Sequence, residues 1–331
     1  MKSGAYPDSL QQRGFTLIEL LVAMSIFSLL LVVLLLMVGE VNRAWVAGER
    51  RVESFQNGRA VLELLARELS QASISDKLQF VQDPNLSANV PTLAPNSSSM
   101  FWQAPLTSTP KGNLCVVGYF LTRVDPVGIS PGQYQLRRLL VSPDNTNSYY
   151  KIFNAAPNAT NTPWLESLAA DAFKETGEAG VSAPASSVVS DGILGLWARC
   201  LDVNGNPIPW LSGSGTANGD AAASPLKFNS AAYFQPASPG STNRIRYSDK
   251  ASTLPAHRLP HAVELTLVTL DSRALKRNPV IPQIETATTP DQIPSKIEKF
   301  LGDIRANGID SARVFSTTVR LSTETDPPVS P

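Results

Sequence analysis

The first 14 positions are mainly polar and hold no apolar run, with Lys2 and Arg13 among them, and the character of the chain changes at Phe15. Residues 15–38 read FTLIELLVAMSIFSLLLVVLLLMV, about 24 residues that as a helix span about 36 Å, enough to cross a hydrocarbon core of about 30 Å. One acid, Glu19, interrupts the run. Beyond it Val41, Trp45, Val52, Phe55, Leu62 and Leu69 recur at steps of three and four and their multiples, with no proline between Asp8 and Asp83. That spacing predicts an amphipathic continuation of the same helix over 39–75. Arg50, Glu53, Arg67 and Glu68 fall between the stripe positions, so the apolar side is expected to dock on a folded unit. Gly39, Gly48 and Gly58 weaken the helix by about 1 kcal/mol each against alanine. A dimeric coiled coil is the other use of such a stripe, but Gly48 and Arg59 stand where its seam needs apolar side chains.

From about residue 76 the text turns rich in Pro, Ser, Asn and Thr with short apolar runs, which predicts strands joined by long loops. The candidate strands are 114–124, 134–141, 193–203, 261–270 and 312–321. In two of them one face is apolar: Val263, Leu265 and Leu267 oppose Glu264 and Thr266, and Phe315, Val319 and Leu321 oppose Ser316, Thr318 and Arg320. Helices are predicted at 163–174 and at 294–306, the second with Ile297, Phe300, Leu301 and Ile304 on one side and Gly308 as its stop. Residues 212–224, SGSGTANGDAAAS, read as a flexible low-complexity loop. The whole is an α+β chain, a long amino-terminal helix packed on an antiparallel sheet.

Composition narrows the function. With 331 residues and 43% hydrophobic content the chain can bury a sizeable core. Its 28 basic and 28 acidic residues leave no global field to draw it onto nucleic acid, and none is expected as a partner. Cys115 and Cys200 are the only cysteines, which excludes a disulfide-rich scaffold and a four-cysteine zinc site. A disulfide between them and two separately buried thiols are both open on the sequence. An ordinary secretory signal has a shorter apolar region and a small-residue cleavage site, and neither is present. Glu19 is the candidate functional residue of the run, because a carboxylate in apolar surroundings is costly without a partner and intramembrane charges usually mark function. Snorkelling to the membrane surface is the plainer use.

The segment Arg13-Gly14-Phe15-Thr16-Leu17-Ile18-Glu19 resembles the signature of type IV prepilins and type II secretion pseudopilins. The resemblance implies cleavage by prepilin peptidase between Gly14 and Phe15 and N-methylation of Phe15. It also implies that Glu19 pairs with the freed amine of a neighbouring subunit during fibre assembly. The resulting organisation is a leader at 1–14, a transmembrane and fibre-core helix at 15–38, its amphipathic continuation at 39–75 and a periplasmic α+β domain at 76–331. Partners implied are the peptidase, other pilins or pseudopilins, inner-membrane lipid and an inner-membrane assembly platform. The implied location is the inner membrane, single-pass, and then a periplasmic or surface fibre. Asp191-Gly192-Ile193-Leu194-Gly195-Leu196 with Trp197 to Asp202, and Leu259-Pro260-His261-Ala262-Val263-Glu264-Leu265-Thr266-Leu267, resemble the carboxy-terminal region of minor pseudopilins of the J type. The pilin-like Verru_Chthon cassette proteins, type C, are a second family the chain resembles.

Catalytic and metal readings find little. His257 and His261 are four apart, but Pro260 spoils the helical geometry that would aim both at one ion. Asp202-Val203-Asn204-Gly205-Asn206 shares part of a calcium-loop pattern without the closing glutamate, and a tight turn is the better use. No P-loop or Cys-x-x-Cys is present, and no enzyme activity, cofactor or metal is expected. The rival functions are a pilin-like adhesin or DNA-uptake subunit, and a periplasmic enzyme anchored by the helix.

Overall fold

The structure, a computed structural model, describes residues 16–74, 78–84, 93–94, 96–124, 133–145, 163–166, 168, 170–174, 184–210, 227–230, 260–271, 274, 281–309 and 311–321. The leader, Gly14, Phe15, His257 and the 212–224 loop lie outside them. Helix α1 runs unbroken over Leu17–Leu69, with Arg67 in its last turn, where a cation suits the carbonyl end of the helix dipole. The chain divides into two units, Met1–Val52 and Glu53–Pro331.

In the first unit the stretch Leu17–Val46 is long and apolar enough to cross a membrane. At 1.5 Å per residue it spans about 45 Å. Every large apolar side chain from Leu17 to Val38 that the structure describes is exposed, as a helix solvated by lipid requires. Its two serines bond back onto the helix, Ser25 Oγ to the Leu21 carbonyl at 2.8 Å and Ser28 Oγ to that of Ser25 at 2.9 Å. Such back-bonding keeps their hydroxyls paired where no water is at hand.

In the second unit the described residues form two antiparallel sheets where the sequence predicts one. The larger has the order β5-β4-β3-β2-β1-β7, built from β1 (Val81–Gln82), β2 (Met100–Thr109), β3 (Gly112–Val124), β4 (Gln133–Val141), β5 (Ser186–Asp191) and β7 (Phe228–Asn229). The smaller has the order β6-β8-β9, from β6 (Ile193–Leu201), β8 (Ala262–Thr269) and β9 (Arg313–Arg320). The last turns of α1 and one face of each sheet share a core: Val61, Leu62, Leu65 and Leu69 meet Trp102, Tyr119 and Leu136 of the large sheet and Leu196, Val263, Leu265 and Val319 of the small one. Because side chains alternate along a strand, the opposite faces need their own covers. Trp164, Leu165, Leu168 and Phe173 cover the large sheet at Phe101, Phe120 and Leu139. Ile293, Ile297, Phe300 and Ile304 of α3 (Ile293–Ala306) cover the small sheet at Leu194, Trp197 and Val268.

The helix predicted at 163–174 is instead a short α2 (Pro163–Glu166) and a 3-10 turn at Ala170–Phe173. Trp164, Leu165, Leu168, Ala172 and Phe173 are buried all the same. The docking stripe is corrected more sharply. Val41, Trp45, Val52 and Phe55 are 55–69% exposed, whereas Leu62 is 6% and Leu69 0% exposed, so only the carboxy-terminal end of the stripe is buried. Gly58 shows why burial begins there. A Cβ at this position would stand 2.4 Å from the Phe315 ring of β9, and the same ring lies 5.5 Å from that of Phe55. Glycine therefore allows the close approach of helix and strand.

Gly58→Ala tests this contact. Helix propensity alone would add about 1 kcal/mol of stability, while overpacking costs about 1–3 kcal/mol. Net destabilisation is expected in denaturant titration of the full chain. In a Phe315→Leu background the same change is expected to cost less or to stabilise. A stabilising Gly58→Ala with Phe315 intact would show that the ring yields freely.

Candidate assembly site

The start of α1 is a capping box. Thr16 takes the N-cap position and Glu19 lies three residues on, so each can satisfy backbone donors that the first turn leaves without partners. Glu19 Oε2 accepts the Thr16 amide and the Thr16 hydroxyl, both at 3.1 Å, and Thr16 Oγ1 accepts the Glu19 amide at 3.3 Å. The Leu20 amide closes the first turn on the Thr16 carbonyl at 3.2 Å. Glu19 thus has neutral partners within its own chain and a carboxylate beside the positive end of the helix dipole. The reading of Glu19 as an acid in search of a partner missed this local one. The spacing Thr-x-x-Glu before an apolar run was its signal.

At the other end of α1, Glu68 is 5% exposed although it falls between stripe positions, a second correction to the amphipathic reading. Arg138 of β4 grips it with two bonds, Nε to Oε2 at 2.8 Å and Nη2 to Oε1 at 2.6 Å. The Tyr119 hydroxyl of β3 donates to Oε2 at 2.7 Å. Burial and the neighbouring carboxylate push the Tyr119 hydroxyl well above the usual tyrosine range. The bonds to Glu68 raise Arg138 further, against burial, which is the largest influence and lowers it. A fork-to-fork pair with a third donor fixes the rotation of the helix about its axis as well as its position.

The cysteines are free and buried on different sheets, Cys115 on β3 and Cys200 on β6. Cys115 Sγ lies 2.9 Å from Thr107 Oγ1, and Cys200 Sγ 3.8 Å from Gln82 Oε1. Burial pushes the Cys200 thiol far up, where it is inert. Asp202 closes a turn: its Oδ1 accepts the amides of Asn204 and Asn206 at 2.8 Å each, with Gly205 at φ +81°. His261 directly precedes β8, its amide bonded to the Leu201 carbonyl at 2.9 Å.

Between α3 and the outer face of the small sheet lies a cavity of about 280 Å³ lined by Trp197, Ile297, Leu301 and Val314, together with Arg199 and Glu264. Four of its polar groups pair off, while Glu298 of α3 also lines it. Arg199 is paired with Glu264, and the hydroxyls of Thr266 and Ser316 are 3.1 Å apart.

A capped, lipid-length helix followed by antiparallel sheets is an α+β arrangement consistent with a pilin-like fold. Residues 10–35 match the family described as the prokaryotic N-terminal methylation motif, which supports a likeness to prepilins and pseudopilins over that segment. No curated protein and no solved structure matches the chain.

Proposed function

We propose that the chain is a non-catalytic minor subunit of a type II secretion-like or type IV pilus-like fibre. Prepilin peptidase cuts it between Gly14 and Phe15, and the new amino terminus at Phe15 is methylated. The helix then holds the subunit in the inner membrane, with the α+β unit in the periplasm, until an assembly platform moves it into the fibre among other pilins or pseudopilins. The methylation motif at 10–35, joined to an apolar helix with a single acid near its start, carries this reading. The size of the unit at Glu53–Pro331 favours a minor, initiating role, since a bulky irregular domain packs poorly in a repeating shell.

Mass spectrometry of the native protein tests the proposal directly. The expected mature chain begins at Phe15 and carries one methyl group. A native chain that keeps its first 14 residues, or is cut elsewhere, would sink it.

A further inference from the structure

Helix α1 carries a second charged position where its apolar run ends. Arg43 Nη1 donates to Glu40 Oε1 at 2.9 Å, one turn away on the same face. Glu19 and Glu40 are 21 residues apart, about 32 Å along the axis, against about 30 Å for a hydrocarbon core. The two acids therefore bracket one bilayer core. Each has a partner in its own chain, Glu19 in the capping box and Glu40 in the ion pair.

Trp45 follows five residues beyond Glu40 and is 69% exposed. At about 100° per residue, Val38, Val41 and Trp45 share one side of the helix, while Glu40 and Arg43 share the other. With Glu19 at one edge of the hydrocarbon core, the Trp45 backbone, about 39 Å along the axis, lies about 9 Å beyond the other edge, just past a headgroup layer of about 5–7.5 Å. Helical side chains lean toward the amino terminus, so the indole reaches back over the turn of Val41. An indole, with an apolar body and one N–H, is the side chain that favours the boundary between acyl chains and headgroups.

We infer that Trp45, with the Glu40–Arg43 pair on the opposite side of the helix, is an interfacial anchor that seats α1 at the headgroup level of the leaflet farther from its amino terminus. The inference rests on the membrane-spanning reading of α1 and adds to it a fixed depth. Lipid is the occupant of this exposed side because apolar length, acid-to-acid spacing and indole position all fit one bilayer thickness. The charge pair stops the helix from sinking, and the indole stops it from rising.

The test uses the full-length protein in phosphatidylcholine–phosphatidylglycerol vesicles whose acyl chains are brominated either near the headgroup or near the bilayer centre. Subtracting the emission of Trp45→Phe from that of the unaltered chain isolates this indole from Trp102, Trp164, Trp197 and Trp210. Its emission is expected to lose most of its intensity to the shallow bromines and little to the deep ones. Replacing both Glu40 and Arg43 by leucine is expected to shift the quenching toward the deep bromines. Equal or stronger deep quenching in the unaltered chain overturns the anchor. So does an absence of quenching in protein that resists alkaline extraction, because Trp45 is then in water or against protein while the helix still spans. Release by alkali would sink the spanning reading and the anchor together.

Discussion

A Glu19→Ala chain is expected to enter the membrane normally and to be missing from the fibre. Insertion depends on the apolar run, which alanine lengthens. Incorporation depends, on the proposed function, on a carboxylate meeting the freed amine of Phe15 on an adjoining subunit inside a low-dielectric bundle. Removing one partner of a buried, hydrogen-bonded charge pair costs about 2–5 kcal/mol, a loss of roughly 30-fold or more in the equilibrium for incorporation. Alanine also breaks the Thr16–Glu19 capping box, an effect of about 1 kcal/mol. Glu19→Gln separates the two contributions, because its side-chain oxygen can still accept the Thr16 amide but carries no charge. Co-purification of each variant with sheared fibres is the measurement. Both are expected to fail. If the glutamine chain assembles while the alanine chain does not, Glu19 acts as a cap, and charge pairing is wrong.

The second large effect is on stability. Arg138→Met leaves the Glu68 carboxylate buried with only the Tyr119 hydroxyl, and breaking such a pair costs about 3–5 kcal/mol. A domain of ordinary stability has about 5–15 kcal/mol in all, so the loss is a large share of it. Adding Glu68→Leu to Arg138→Met is expected to recover most of the loss, since an apolar pair of similar volume replaces the salt bridge without stranding a charge. Tyr119→Phe alone is expected to cost about 1.5–3 kcal/mol, the range for a hydrogen bond to a charged group. Trp102 stacks on Tyr119 with ring centroids 5.8 Å apart, so its fluorescence reports unfolding of this region in a denaturant titration. An Arg138→Met chain within 1 kcal/mol of the unaltered one would mean, by the size of the effect expected above, that the pair is no lock.

Alkaline pH acts on the same site. The unfolded chain loses the Tyr119 proton near the ordinary tyrosine value of about 10, whereas the folded chain retains it. The unfolded state then binds fewer protons, so the contribution of this hydroxyl is complete below about pH 10 and falls as the pH rises above it.

The membrane-length run, the acid within it, five strands and α3 were legible because each is written in local order. Apolar residues spaced at 3.6 or at 2 mark a face, and a face needs no knowledge of its partner to be recognised. The Thr16–Glu19 box was equally local and equally readable. β2 was not, for a physical reason: Met100, Phe101, Trp102 and Ala104 are buried on both faces, so the alternation that marks a half-buried strand is absent, and Pro105 argues against a central strand.

Long-range contacts determined the rest. Glu68 has the sequence context of a solvated helix charge, and it is buried because Arg138, 70 residues away, arrives on β4 to meet it. The point along α1 at which burial starts follows from one glycine meeting one ring, Gly58 and Phe315, 257 residues apart. The division of the strands into two sheets, with the thiols of Cys115 and Cys200 on different ones, is likewise a matter of which edges find each other. Local periodicity states that a side chain will be buried. It says nothing about the partner, and for charges, glycines and thiols the partner decides the role.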